Sequence, residues 1–470
     1  MRDERGAPII VVGGGIAGLA AAHRLTGAGA PVTIVERDAR LGGKILTERR
    51  DGFIVEGGPD AFLASKPHGR ELCEELGLEL VGSNQTIRRA FVMGAGRLHP
   101  LPDGFTGVAP RRIGPMLRTR LLSPAGKARM GLEWFIPPRR NGEDESLAAL
   151  VRRRVGTQAW ERLVEPLVTG VFAGDGERLS ARATFPMLPD AEQTHGGLIR
   201  AGRASRKAGR SVPTALLFST PRQGLGAMVE ALERSIGAAS IRTGAAVERI
   251  VRDATGFSVH LDSGEALQAA GIVLATPAGP AADLLDGIDP TLANELREIE
   301  YVSTATVSVA VPDSAVGRPL DGHGFVLPRR EGSPIVGCTI TSTKFPHRAP
   351  AGWTLVRIFV GRAGQPDALR LDDTALVELA RNELARSLGI DGPPSWARVF
   401  RWPDAIPQYN VGHLARVERI GARVAAIPGL EVAGHAYRGI GIPDCIASGQ
   451  VAAEAFLGAG DPHRGAGAGG

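Results

Sequence analysis

Cysteine is scarce in this chain, with three in 470 residues. Cys73, Cys338 and Cys445 lie far apart and show no metal-ligand spacing, which argues against a cysteine-based metal centre and against a disulfide-stapled scaffold. Free thiols in a reducing, cytoplasmic compartment are expected. Tyrosine is equally rare, with three, and aromatic residues make up 5% of the chain. No apolar run reaches the roughly 18 residues that cross a bilayer, so no transmembrane helix is expected. The first strand candidate begins at Ile9, which leaves no room for a secretory signal before it. Acidic residues are missing from two long spans. Between Gly104 and Leu132 the charged residues are Arg111, Arg112, Arg118, Arg120, Lys127 and Arg129; between Gln193 and Val229 they are Arg200, Arg203, Arg206, Lys207, Arg210 and Arg222. Such a surface attracts an anion, although an arginine-rich solvated face is the alternative reading. No aromatic stacking pattern accompanies the arginines, which weighs against nucleic-acid binding.

What is present is a foldable chain. Apolar residues make up 43% of it, and glycine is abundant at 63. Most of the glycines fall in specific turns; Gly465 to Gly470 is the exception and reads as a floppy tail over 463–470.

The most informative segment comes first. Pro8 to Val12 is a short apolar run, Gly13-Gly14-Gly15-Ile16-Ala17-Gly18 follows, and Leu19 to Leu25 continues as an apolar helix. A second strand, Val32 to Val35, ends in Glu36. A lone G-x-G-x-x-G carries little weight, but a strand before it, a helix after it and an acid at the end of the next strand make it a dinucleotide site. Gly13 permits the tight turn, Gly15 lets the backbone approach a pyrophosphate, and Gly18 lets the helix pack on the strand. The helix N-terminus offers unpaired N–H groups to phosphates. Glu36 stands where a carboxylate accepts hydrogen bonds from ribose hydroxyls.

Farther along, Ser146 to Val151 and Ala159 to Val164 look helical. Val247 to Val251 and Phe257 to Leu261 read as strands joined to the next through an Asp262–Glu265 turn. Ile272 to Pro277 reads as a buried strand. Tyr301 to Val311 alternates apolar and small polar residues, as a half-buried strand does. Gly429 to Gly434 is a strand, with a helix expected from about Asp444. No internal repeat and no long linker appears, so interleaved domains are expected.

Arg40-Leu41-Gly42-Gly43-Lys44 resembles the R-x-G-G-R/K segment of flavoproteins of the amine oxidase superfamily, where it lies beside the cofactor. Four further segments narrow the resemblance. Tyr437-Arg438-Gly439-Ile440-Gly441-Ile442-Pro443-Asp444-Cys445-Ile446 is similar to the C-terminal signature of the oxygen-dependent protoporphyrinogen/coproporphyrinogen oxidase family. Gly58-Pro59-Asp60-Ala61-Phe62, Glu165-Pro166-Leu167 through Gly174-Asp175, and Ile406-Pro407-Gln408-Tyr409 with Val411-Gly412-His413 resemble other segments of it. The matches run in order over almost the whole chain.

The resemblance implies an α/β fold: a Rossmann-like FAD-binding domain (1–85, 222–285 and 405–462) interleaved with a mixed-sheet substrate domain (211–221 and 286–404) and a helical subdomain (86–210). It implies noncovalent FAD, because Cys445 lies in Pro-Asp-Cys-Ile rather than in the context of a covalent flavin link. It implies a heme-pathway oxidase that takes a porphyrinogen to the porphyrin with molecular oxygen in three two-electron steps. Carried over residue by residue, the FAD contacts are Gly13, Gly14, Gly15, Ile16, Ala17 and Gly18; Glu36, Arg37 and Lys44; Gly58, Pro59, Asp60 and Ala61; Val247 and Trp402; and Gly441, Ile442 and Pro443. Val247 and Trp402 can equally be core residues, and Lys44 a surface lysine. Asp60 and Lys66 are the candidate substrate and catalytic residues. Asp60 assists proton loss or only caps the following segment; Lys66 pairs with a propionate or is a solvated lysine. No metal is expected. The span from Arg111 to Arg140 is basic where membrane-bound members are apolar, which points to a soluble or loosely peripheral enzyme. Amine oxidases and carotenoid desaturases compete on the same fold, but three tyrosines are few for an aromatic amine cage, and the basic spans suit an acidic tetrapyrrole better than a carotenoid. A flavoprotein without turnover is the remaining alternative.

Overall fold

The structure is a computed structural model that describes residues 7–103, 105–106, 109–110, 113–139, 142–207, 218–253 and 256–458. The expected tail at 463–470, the side chains of Arg111, Arg112, Arg206, Lys207 and Arg210, and residues 211–217 lie outside the described residues.

A five-stranded parallel sheet organises the first part of the molecule. Its order is Ile241–Thr243, β2 (Val32–Glu36), β1 (Ile9–Val12), Gly271–Leu274 and Leu430–Val432. Ile9 pairs with Val32 on one side and Gly271 on the other. Strands in the middle of a parallel sheet are covered on both faces, which is why these segments are runs of branched apolar residues with no alternation. Val11, Ile34 and Val273 point to one face and meet the first helix, α1 (Ile16–Gly27), and the helices Gly226–Ile236 and Ile442–Gly458. Ile10, Val12, Val35, Ile272 and Leu274 point to the other and meet the helices Ala278–Leu285, Pro290–Arg297 and His413–Ala425 and the strand Phe257–Leu261. The three C-terminal residues of this sheet, Leu430–Val432, form a shorter strand than the sequence suggests, and the helix after it starts at Ile442 rather than near Asp444. Pro443 sits in the first turn of that helix, where its missing N–H has no intrahelical partner to lose.

The second sheet has seven strands in the order Trp396–Pro407, Tyr301–Pro312, Trp353–Val360, Ile335–Ile340, Gly322–Val326, Arg89–Gly94 and Arg97–Pro100. All its pairings are antiparallel except Gly322–Val326 with Arg89–Gly94. One face packs on the helix Asp373–Leu388 through Leu376, Ala380, Leu384 and Leu388. The opposite face meets the first domain through Phe53, Val55, Leu355 and Phe400, rimmed by Trp353, Trp396 and Trp402. Tyr301–Pro312 was expected to be half-buried. It is buried from Ala305 to Val311, because this sheet is covered on both faces.

Between the sheets in sequence lies a helical region. Ser146 caps the helix Leu147–Val155 by accepting a hydrogen bond from the Ala149 N–H. Trp160–Val164, expected as ordinary helix, is a wide π turn. Pro166 follows it and has no N–H to continue the regular ladder. The core of this region includes a fully buried ion pair, Arg154 with Glu133.

Candidate functional site

The glycine turn joins β1 to α1. Gly13 has φ +105°, a conformation that excludes most side chains. A Cβ on Gly18 would collide with the Gly13 carbonyl, so that position is fixed by helix–strand packing. Gly15 is different. Its φ of −71° suits any residue, and a Cβ there would meet nothing within 4 Å. The protein leaves open space directly over the start of α1. No side chain caps that helix and no acid lies in its first turn, so its N–H groups and the positive end of its dipole stay available to an anion. Ile16 and Ala17 form the buried first turn.

Glu36 is tied to the same turn. Its carboxylate accepts hydrogen bonds from the Gly14 N–H at 2.7 Å and the Asp38 N–H at 2.9 Å. An ionised carboxylate has about four acceptor positions, so lone pairs remain for a diol. Arg37 beside it is 72% exposed and lies against Asp38, at the rim. Val247 enters the neighbouring hairpin at a register shift opposite Leu261, and the Ala245 N–H donates to the Glu36 carbonyl at 3.0 Å.

Three distant segments meet this turn. Gly42 donates its N–H to the Gly14 carbonyl at 2.8 Å. Lys44 follows, and it is no surface lysine: its Nζ lies 3.0 Å from the Nε2 of His435. Burial pushes the Lys44 ammonium down to about 8. A Cβ on Gly58 would strike the Lys44 carbonyl, which fixes Gly58-Pro59-Asp60-Ala61 against the same loop. Trp402 braces this second turn, its Nε1–H donating to the Gly57 carbonyl at 2.9 Å. His435 belongs to the third segment, which runs through Gly441 into the C-terminal helix. Gly441 donates its N–H to the Asp444 carboxylate at 3.2 Å.

Asp60 and Lys66 are both engaged. Lys66 Nζ pairs with Asp444 at 2.6 Å, so it is neither a free solvated lysine nor an unpaired cation awaiting a ligand. Asp60 makes no cap; its carboxylate meets Lys344 Nζ at 2.9 and 3.2 Å. Burial alone raises a carboxyl, but Lys344, Arg357 and Arg348 outweigh it and hold Asp60 at about 2. A carboxylate held that low stays ionised near neutral pH, paired with Lys344. The sequence reading missed the cations behind it. Arg348 donates to the Asp60 carbonyl at 2.8 Å and to Glu56 at 3.1 Å; Arg357 donates to the Gly58 carbonyl. Arg357 is also buried, and lack of solvent pulls its guanidinium down to about 10. The available signal was one charge inside the apolar strand Trp353–Val360.

The chain matches the model of the flavin-containing amine oxidoreductases over residues 16–457. It belongs to that family. FAD is therefore its cofactor, and the open space at Gly15, the uncapped helix end and the spare acceptors on Glu36 fit a dinucleotide. A coproporphyrinogen III oxidase of Bacillus subtilis (strain 168) is 35% identical over 455 residues, covering 94% of this chain and 96% of the relative. A coproporphyrinogen III oxidase of Propionibacterium freudenreichii subsp. freudenreichii is 36% identical, covering 96% and 90%. A crystal structure from Exiguobacterium sp. 255-15 superposes with a TM-score of 0.86 at 32% identity, covering 96% of this chain and 98% of the other. The cyclohexylamine oxidase of Brevibacterium oxydans IH-35A, at 18% identity and a TM-score of 0.70, shares the fold alone. Among the described residues no helix is long and apolar enough to cross a membrane.

Proposed function

We propose that this chain oxidises coproporphyrinogen III, or protoporphyrinogen IX, to the corresponding porphyrin, removing six electrons in three steps with molecular oxygen and releasing hydrogen peroxide. The observation that carries this is the full-length similarity to coproporphyrinogen III oxidases, at 35% identity over 94% of the chain. Fold alone does not choose, since amine oxidases share it.

Within this reading, Gly13 to Gly18 and the start of α1 hold the FAD diphosphate, Glu36 holds the ribose, Arg37 lies at the adenosine rim and Val247 beside the adenine. Lys44, Gly58 to Ala61, Trp402 and Gly441 to Pro443 surround the flavin. FAD supplies hydride acceptance and electron transfer to oxygen. What the protein adds is position and electrostatics. The Trp402–Gly57 hydrogen bond and the Asp60–Lys344 pair hold the Gly57–Asp60 turn rigid from the second sheet. Asp60, paired with Lys344 and flanked by Arg348 and Arg357, ties this turn to a cluster of cations at the edge of the site. The Lys66–Asp444 pair anchors the start of the C-terminal helix, whose N-terminal end faces the same space.

The test is direct. Purified protein should be yellow, release flavin on denaturation, and consume oxygen when given a porphyrinogen, with porphyrin fluorescence rising in step. Initial rates with the four-carboxylate and two-carboxylate substrates separate the two choices. Oxygen uptake with alkylamines and none with either porphyrinogen sinks the proposal.

A further inference from the structure

Three neighbouring strands of the second sheet each aim one side chain at the same short turn. Thr306, on Tyr301–Pro312, donates its hydroxyl to the Gly57 carbonyl at 3.0 Å, and Trp402, on Trp396–Pro407, donates its indole N–H there at 2.9 Å. Arg357, on Trp353–Val360, reaches the Gly57 carbonyl at 3.4 Å with Nη2 and gives the same nitrogen to the Gly58 carbonyl. The register puts all three on one face: Thr306 stands opposite Phe359 and Phe400, and Arg357 and Trp402 lie two residues from those. The Phe400 ring packs on Gly57, where a Cβ would meet it at 2.8 Å, so the turn is pressed onto this face. Farther along the turn, Arg348 donates to the Asp60 carbonyl at 2.8 Å.

A trans peptide points its N–H opposite to its C=O. With the Gly57 and Asp60 carbonyls turned into the protein, the N–H groups of Gly58 and Ala61 point out on the other side of the turn. Pro59 between them has no N–H. Among the described residues neither N–H has a protein acceptor. Gly58 to Ala61 are partly exposed, while Gly57 is buried. Arg357 differs from the other two donors to Gly57. A neutral side chain is enough to hold a carbonyl, as Thr306 and Trp402 show. Burying a guanidinium costs more, and Arg357 is 4% exposed. Asp60 pairs with Lys344 and Glu56 with Arg348. Among the described residues Arg357 is in no ion pair; its Nε and Nη1 have no partner, and its side chain hydrogen-bonds only to the two carbonyls. One positive charge is thus left over directly behind the turn.

We propose that Arg357 is a positioning residue that raises the reduction potential of the flavin through this turn. It holds the Gly58 N–H toward the cofactor as a hydrogen-bond donor, and its charge polarises that peptide and adds a positive potential behind it. Reduction by two electrons puts negative charge on the flavin ring system, so a fixed donor and a fixed cation favour the reduced form. The inference rests on the placing of the Gly57–Asp60 turn beside the flavin. It does not rest on the choice of substrate.

The readout is the midpoint potential of the bound flavin. Holoenzyme is reduced slowly under anaerobic conditions beside a reference dye, and the wild type is compared with Arg357→Met, Arg357→Lys and Thr306→Val. Arg357→Met should lower the ratio of reduced to oxidised flavin at a fixed poise by at least about tenfold, a shift of about 30 mV to more negative potential for a two-electron couple. Arg357→Lys keeps the charge and should stay within about threefold of the wild type. Thr306→Val removes a neutral donor to the same carbonyl and should also stay within about threefold. An unchanged potential in Arg357→Met overturns the proposal. So does a loss in Thr306→Val as large as that in Arg357→Met, which would make rigidity of the turn the cause. If Arg357→Met does not retain flavin, Arg357→Lys decides: a loss of about tenfold despite the retained charge overturns the proposal. The oxidised flavin spectrum separates the two ways of failing. A turn remote from the flavin leaves spectrum and potential unchanged in every variant; a turn beside it without the charge effect shifts the spectrum alone. A chemical reductant supplies the electrons, so a protein inert to every porphyrinogen still gives the answer.

Discussion

Gly43 stands over Gly15: a Cβ on Gly43 would stop 3.3 Å from the Gly15 Cα, while a Cβ on Gly15 itself would touch nothing. The two glycines answer different needs, and one mutation separates them. Gly15→Val should fold and keep its stability as apoprotein, because backbone and space both accept a side chain. It should lose FAD, because the side chain takes the diphosphate's place. Gly18→Val should lose the fold as well, since its Cβ meets the Gly13 carbonyl. Flavin content and thermal melting of the two variants check this; a yellow, stoichiometric Gly15→Val removes the diphosphate from that spot.

Glu36 does two jobs. Sequence reasoning gives it the ribose alone, and then Glu36→Ala should cost only cofactor. The hydrogen bonds from Gly14 and Asp38 add a structural cost. Leaving those N–H groups without their acceptor should destabilise even the apoprotein by about 1–3 kcal/mol. Glu36→Gln, which keeps an acceptor oxygen, should recover part of that stability while still binding FAD weakly. Apoprotein melting of the two variants, compared with FAD affinity, resolves the roles.

The Asp60–Lys344 pair predicts an acid limb. Asp60 sits at about 2 in the fold against an ordinary 3.8. A depressed carboxyl stabilises the fold above its unfolded value, and that contribution is lost as pH falls through the folded one. The window lies between about pH 4 and about pH 2, and the contribution is on the order of 2 kcal/mol. Asp60→Asn should flatten this limb. It should also destabilise the protein at neutral pH, since Lys344 and Arg357 lose their nearest carboxylate. Denaturant unfolding against pH in both proteins measures it.

The parts of the site that were legible are local. The glycine turn, the helix after it and Glu36 lie within 28 residues of one another, and turn chemistry is written in adjacent residues. The short apolar runs of the buried parallel strands, bounded by turn residues, were legible for the same reason. What stayed hidden were pairings across the fold. Asp60 finds Lys344 across 284 positions and Lys66 finds Asp444 across 378. A single sequence shows each charge and hides its partner, so it left open whether Asp60 takes a proton or caps a segment and whether Lys66 meets a propionate or solvent. Arg357 left a trace, being the one charge in the buried strand Trp353–Val360. Nothing in the sequence could say that it pointed toward Gly58.

The basic spans give the last prediction, and the structure sharpens it. Arg222 is paired with Glu79 and adds little to the field. Arg129 instead donates to the carbonyls of Arg152, Arg153 and Arg154, and Lys127 to the Leu117 carbonyl. Arg200 and Arg203 lie over the Trp134 ring. Carbonyls and an indole orient these cations without cancelling their charge. The helical region therefore keeps a positive potential, which should steer an anionic substrate. The screening length falls from about 10 Å at 0.1 M salt to about 3 Å at 1 M. kcat/KM should fall across that range, and more steeply for a four-carboxylate porphyrinogen than for a two-carboxylate one, because the attraction scales with ligand charge. kcat should change much less, since it follows binding. Lys127→Glu should reduce the salt slope, and Arg222→Gln should leave it unchanged. Lys66→Glu is a poor probe of steering, because it breaks the pair with Asp444 that anchors the C-terminal helix. Equal salt slopes for both substrates, or none, would leave these arginines a solvated face and remove the electrostatic reason to prefer the four-carboxylate substrate.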